Sequence, residues 1–100
     1  MLLSLSGRRV EIRGECYSSC TMYLGTSGIC VHRSAVFGFH GPSAYGKPLS
    51  PEDFDYWSEI LARQYREPLR SWFLHTARYK TREYYRISGA TLIQMGYPSC

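Results

Sequence analysis

The sequence predicts an α/β fold, and three observations carry that expectation. Short runs of β-branched and aromatic residues, punctuated by glycine, fill the first half. A cap-and-proline signature opens a helix at position 50, and helical spacing of large apolar residues follows it. Short strands interleaved with helices, in that order, belong to the α/β class.

Taken along the chain, "RRVEIRG" alternates Val10 and Ile12 with charged residues and reads as a strand ending at Gly14. "SSCTMYLG" places small residues before Met22, Tyr23 and Leu24, which fits a small-residue turn into a short buried helix stopped at Gly25 or Gly28. "ICVHR" and "AVFGFH" are two further strands, and "GPSAYGKPL" is a Gly/Pro loop. Ser50 then caps, Pro51 takes the first helical position, and Asp53 sits where a capping box has its acid. The helix that follows is the longest expected, with Phe54, Trp57, Ile60, Leu61 and Tyr65 on one face. Pro68 interrupts it, because proline lacks the N–H that the helix needs. "LRSWFLHTARY" resumes the helix and is expected to bury Leu69, Trp72, Phe73 and Thr76. "TREYYRIS" is a strand or a turn, and "ATLIQMG" is a last short helix closed by Gly96.

The 100 residues make a single small domain, with no repeat, linker or low-complexity tract. A chain of this size buries roughly two thirds of its unfolded surface, so a cross-link or a partner subunit is a natural supplement to its core. The aromatic share of 15%, mostly tyrosine, is ample for a packed interior. The net charge of +4 is modest. Arg63, Arg66, Arg70, Arg78, Arg82 and Arg86 follow helical spacing and read as a solvated face, so no nucleic-acid partner is expected. No window approaches the ~20 apolar residues of a membrane span. The opening "MLLSLSGRRVEIRG" has too short an apolar stretch for a signal-peptide core, with its charges after that stretch. Four cysteines nevertheless point toward an oxidising compartment.

The chemistry-bearing residues cluster around "GECYSSC". Cys16, Cys20, Cys30, His32 and His40 are zinc-preferred types, but C-x3-C followed by a lone Cys-x-His lacks the paired spacing of structural zinc sites, so no metal or other cofactor is expected. A bridge from Cys30 to Cys20 or to Cys16 would contribute about 2–4 kcal/mol, while terminal Cys100 is expected free or intermolecular. A serine at a strand-to-helix turn exposes its hydroxyl beside the first N–H groups of the helix, which suits attack on a carbonyl, and His40 ends a strand that could supply the base. Cys20, two positions into the helix, is expected to be a structural thiol rather than a nucleophile.

"GECYSSCTMYLG" together with "AVFGFHGPSAYG" resembles the serine and histidine segments of Clp-type serine peptidases in the ClpP/crotonase superfamily. The resemblance runs from Val10 to Pro98 and implies a partial ClpP/crotonase-like fold, lacking the N-terminal strands and the glycine-rich oxyanion loop. It makes Ser18 the nucleophile, His40 the general base and Ser19 the donor of one oxyanion N–H. The helix from Pro51 would be the family's protruding helix, which implies a homo-oligomer, and peptides or proteins would be the substrate. In the family register the third triad member falls at Lys80, with Glu83 nearby as a substitute acid. Lys80 is also a candidate base for Ser18, since a desolvated lysine can act as one. The version with cysteines around the serine is similar to a bacterial branch placed in the periplasm, which fits the cysteine count. Two function classes therefore stand side by side: a serine hydrolase working through an acyl-enzyme at Ser18, and a non-catalytic module that self-associates or binds peptides.

Overall fold

The structure, a computed structural model, describes residues 10–44 and 47–100. The start of the first strand at Arg8 and Arg9, the reading of the opening residues, and the middle of the Gly/Pro loop at 45–46 lie outside the described residues. The chain is a small α/β domain. Its elements run β1 (Val10–Ile12), β2 (Glu15–Tyr17), a 3-10 helix (Ser18–Gly25), β3 (Ile29–Val31), β4 (Val36–Phe39), α1 (Pro51–Ala62), α2 (Leu69–His75), a 3-10 turn (Ala77–Tyr79), β5 (Tyr85–Ser88) and α3 (Gly89–Gln94).

The strand expected before Gly14 is β1, and a second strand that was not expected, β2, follows Gly14 in the other sheet. Gly14 has φ 65°, a conformation that a residue without Cβ adopts at no steric cost, and it turns the chain between them. β1 pairs in parallel with β3, and β2 pairs in parallel with β4, which pairs antiparallel with β5. The strand-or-turn alternative at "TREYYRIS" thus resolves as strand β5. The tail adds to the first sheet: Val31 donates to the Pro98 carbonyl and Cys100 donates to the Val31 carbonyl, which lays residues 98–100 beside β3.

The core joins both sheets to the helices. Ile12, Val31, Phe37, Phe39, Leu24, Leu69, Phe73 and Leu92 are fully or almost fully buried. Phe39 meets the edges of Tyr65 and Trp72 at ring-centroid distances of 5.4 and 5.3 Å, and Trp72 meets Tyr85 at 5.1 Å, so α2 is pinned onto β4 and β5 by aromatic contacts.

At α1 the start follows expectation and the buried face only in part: Tyr65 is buried and Leu61 packs against the core, but Trp57 is exposed. Asp53 N–H donates to Ser50 Oγ at 3.2 Å, with Pro51 behind the cap. The positions α1 buries completely are Ser58 and Ala62, an i, i+4 stripe, and buried Tyr65 follows in the turn beyond the helix end. Small residues on that stripe let the helix approach its neighbours closely. The larger Trp57, 48% exposed, and half-buried Leu61 are pushed to its flank, over a cleft described below. α2 buries Leu69 and Phe73 with Trp72 partly covered, but Thr76 ends the helix and is exposed rather than buried.

The cysteine pairing also differs from expectation. Cys16 is bonded to Cys20, and Cys30 to Cys100; Cys30 reaches neither Cys16 nor Cys20, and Cys100 is not free. The reason is topological. The tail runs alongside β3 and brings Cys100 to Cys30, while the tight turn at residues 16–20 folds Cys20 back onto Cys16. Among the described residues no helix is long and apolar enough to cross a membrane.

Candidate functional site

Strand pairing brings the site together. β2 and β4 lie parallel with Tyr17 opposite Gly38, so the residues just beyond their C-terminal ends emerge on the same side. Those residues are Ser18 and His40. Gly38 permits this register because the Tyr17 ring lies against its α-carbon, where a side chain would collide. Ser18 Oγ and His40 Nε2 are 2.9 Å apart, a hydrogen-bond distance.

The proton arrangement follows from the other ring nitrogen. His40 Nδ1 lies 2.8 Å from the Gly41 carbonyl oxygen. A carbonyl oxygen only accepts, so Nδ1 carries the proton and donates it, leaving Nε2 of the neutral imidazole as acceptor. Ser18 Oγ–H therefore donates to His40 Nε2, the direction that a general base requires. Gly41 is held in place in turn: its N–H donates to the Lys80 carbonyl at 2.8 Å, and its α-carbon abuts the Arg78 carbonyl so closely that a Cβ would overlap it.

Ser18 sits at the start of the 3-10 helix with φ 57°, unusual for a residue with a Cβ and costing about 1–2 kcal/mol. Two features hold it there. The Cys16–Cys20 bond closes a loop with Ser18 at its centre. On the other side, Thr21 Oγ1 donates to the Ser18 carbonyl at 2.7 Å and accepts from the Tyr65 hydroxyl, also at 2.7 Å. Since Thr21 has one hydroxyl proton and gives it to Ser18, Tyr65 is the donor in the second bond. Burial is the main cause that pushes the Tyr65 hydroxyl pKa well above its ordinary value, which keeps that donor protonated.

Ser18, Ser19, Met22, His40, Leu61 and Tyr65 line a cleft of about 180 Å³. Ser19 is the second residue of the 3-10 helix, where a backbone N–H has no intrahelical acceptor. Beyond His40 the surface continues as a wider apolar groove of about 430 Å³ bordered by Pro42, Leu49, Trp57 and Leu61. The His40 ring also lies 5.3 Å from that of Tyr84, which stacks on Tyr17 at 5.0 Å.

The two candidates for a third member are placed differently from the serine and histidine. Glu83 borders a small cleft that His40 also lines, but its carboxylate pairs with Lys80 Nζ at 3.0 Å, with both side chains largely exposed. Lys80 Nζ also lies 5.7 Å from the centre of the Tyr85 ring. The partner on His40 Nδ1 is a backbone carbonyl, which sequence reading missed because it has no residue signature. Tyr65 and Thr21 were missed as supports for Ser18, although Tyr65 was legible as a core residue. Cys16 and Cys20, bonded to each other, offer no thiolate. Elsewhere, Glu11, His32 and Cys100 bring ligand-type atoms within 4.8 Å of one another, but the Cys100 sulfur is bonded to Cys30 and cannot serve as a thiolate ligand.

Compared with known proteins, the chain matches no family model, no curated protein and no solved structure.

Proposed function

We propose that this chain is a serine hydrolase of the Clp peptidase type, cleaving peptide bonds through an acyl-enzyme on Ser18. The observation that carries the reading is the hydrogen bond from Ser18 Oγ to His40 Nε2 at 2.9 Å, with His40 held in the required tautomer by Gly41. In the reaction Ser18 Oγ attacks the substrate carbonyl as His40 Nε2 takes its proton, and the protonated His40 then delivers that proton to the leaving amine. The backbone N–H of Ser19 stabilises the developing oxyanion. A neutral carbonyl on Nδ1 orients the imidazole, but it stabilises imidazolium less than a carboxylate would, so turnover is expected to be slow. The apolar groove beside His40 suits a peptide with apolar side chains.

A fluorophosphonate probe tests this directly, because it phosphonylates activated serines. Intact mass should show one adduct on the parent and none on Ser18→Ala.

A second reading, a module that binds peptides or its own copies without cutting, is favoured by one observation. Trp57 borders the groove and is 48% exposed, and Tyr56, 60% exposed, meets its ring at 5.2 Å, which leaves aromatic surface uncovered there. Concentration-dependent sedimentation that is lost in Trp57→Ala, combined with an unlabelled Ser18, would select it.

A further inference from the structure

The Cys16–Cys20 bond is in the wrong place to be only a staple. It closes a five-residue loop whose middle residue is Ser18, whereas the bond from Cys30 to Cys100 spans 70 positions and ties the tail to the sheet. The short loop carries the strand-to-helix junction, and Ser18 is the residue there with positive φ. A serine in that conformation relaxes toward ordinary backbone angles when nothing opposes it. Relaxation would swing Oγ away from His40, which approaches from another strand and does not move with the turn.

We infer that the Cys16–Cys20 disulfide is a redox-operated clasp that positions Ser18 against His40, so that the serine is reactive when the bond is closed and loses reactivity when it opens. The inference rests on the hydrolase reading for its consequence but not for its geometry. Cys16 and Cys20 are positioning residues: neither touches the substrate, and both act through the backbone of Ser18. Opening requires two electrons from a dithiol reductant. Its thiolate attacks the half-buried Cys20 sulfur in preference to the fully buried Cys16. The Cys16–Cys20 bond breaks, each cysteine ends as a thiol, and the reductant ends as a disulfide. Thr21, itself held by Tyr65, binds the Ser18 carbonyl, on the C-terminal side of that residue, and so keeps the helix start in place. The N-terminal side of Ser18, which sets φ, is released by opening the Cys16–Cys20 loop.

Two preparations isolate the clasp. Cys16→Ala/Cys20→Ala removes it and keeps the Cys30–Cys100 bond. Cys30→Ala/Cys100→Ala keeps the clasp as the one remaining disulfide, so that dithiothreitol can open it and re-oxidation close it with no substitution near Ser18. Each is compared, at a temperature where circular dichroism shows it folded, for the rate of fluorophosphonate labelling. A second readout is the response of the His40 ring 15N signals to Ser18→Ala. The expected result is labelling slowed about 5- to 30-fold with the clasp open, the factor to which a conformational preference of ~1–2 kcal/mol corresponds, and recovered on re-oxidation. The His40 signals should respond to Ser18→Ala strongly when the clasp is closed and weakly when it is open. Equal labelling rates, or an equal His40 response in both states, would overturn the inference. If the oxidised parent is not labelled at all, the hydrolase reading fails, and the His40 response alone decides whether the clasp positions Ser18.

Discussion

Ser18 and His40 meet because two parallel strands end side by side, but the direction of the proton between them is set by Gly41. The Lys80–Glu83 pair is then a bystander to the proton transfer. If the Gly41 carbonyl is what orients His40, then Lys80→Ala and Glu83→Ala, which remove an exposed pair worth about 0–1 kcal/mol, leave the fluorophosphonate labelling rate within about twofold of the parent. His40→Ala, by contrast, should slow it by about 10²–10⁴, the usual contribution of a general base. A large loss in Glu83→Ala would mean that the carboxylate leaves Lys80 and reaches His40 during reaction. Tyr65→Phe is the quieter companion. It keeps the ring in the core, removes the donor to Thr21 at a cost of about 1 kcal/mol, and should slow labelling while the fold, read by near-UV circular dichroism, persists. The serine-rich turn and the strand-terminal His40 were legible as a pattern, but it was the resemblance to Clp-type peptidases that singled out Ser18 from Ser19. The Gly41 carbonyl was not legible, since every residue has one and only tertiary geometry says which carbonyl faces the ring.

At the scale of elements, α1 shows what periodicity can and cannot carry. The Ser50 cap and Pro51 were readable because capping is local chemistry, and Ser50→Ala should cost about 0.5–2 kcal/mol in urea unfolding. The buried stripe was read only in part, Leu61 and Tyr65 but not Ser58 and Ala62, because large apolar residues are the default guess for a core face. Here the helix packs closely through Ser58 and Ala62 and leaves Trp57 at a groove. Ser58 Oγ is buried with no hydrogen-bond partner among the described residues, so its hydroxyl was desolvated without return. Ser58→Ala should therefore leave the melting temperature unchanged or raise it. A drop of several degrees would show that the hydroxyl has a partner. The strand β2 was illegible for a different reason: three residues between a glycine and a serine-rich turn carry too little pattern to distinguish a strand from a loop.

For the whole molecule, the long-range bond between Cys30 and Cys100 is the supplement that a small core calls for. Closing a loop of 70 positions removes unfolded-state entropy worth about 4 kcal/mol, against about 2 kcal/mol for the short Cys16–Cys20 loop. Cys30→Ala/Cys100→Ala should accordingly lower the unfolding free energy more than Cys16→Ala/Cys20→Ala does, while the latter does more damage to Ser18. The four cysteines announced bridges, but spacing alone leaves three ways to pair them, and the partner of Cys30 depends on a tail that only the folded sheet brings close. Stability should also fall on the alkaline side. Burial pushes both the Tyr65 and the Tyr97 hydroxyl pKa above the ordinary 10.0. Above about pH 10 the unfolded chain loses protons that the native state keeps, so their contribution is intact below that pH and declines as pH rises. Tyr65→Phe should flatten that decline in thermal melts followed from pH 9 to 11, and an unchanged slope would place the titration elsewhere.

One measurement bears most directly on the central claim that Ser18 is a nucleophile activated by His40. Oxidised parent, Ser18→Ala and His40→Ala are treated with the same fluorophosphonate probe and weighed intact. The expected result is a single adduct on the parent, mapped to Ser18, absent from Ser18→Ala and strongly slowed in His40→Ala. A folded, oxidised parent that takes up no probe, or an adduct that persists in Ser18→Ala, would contradict it.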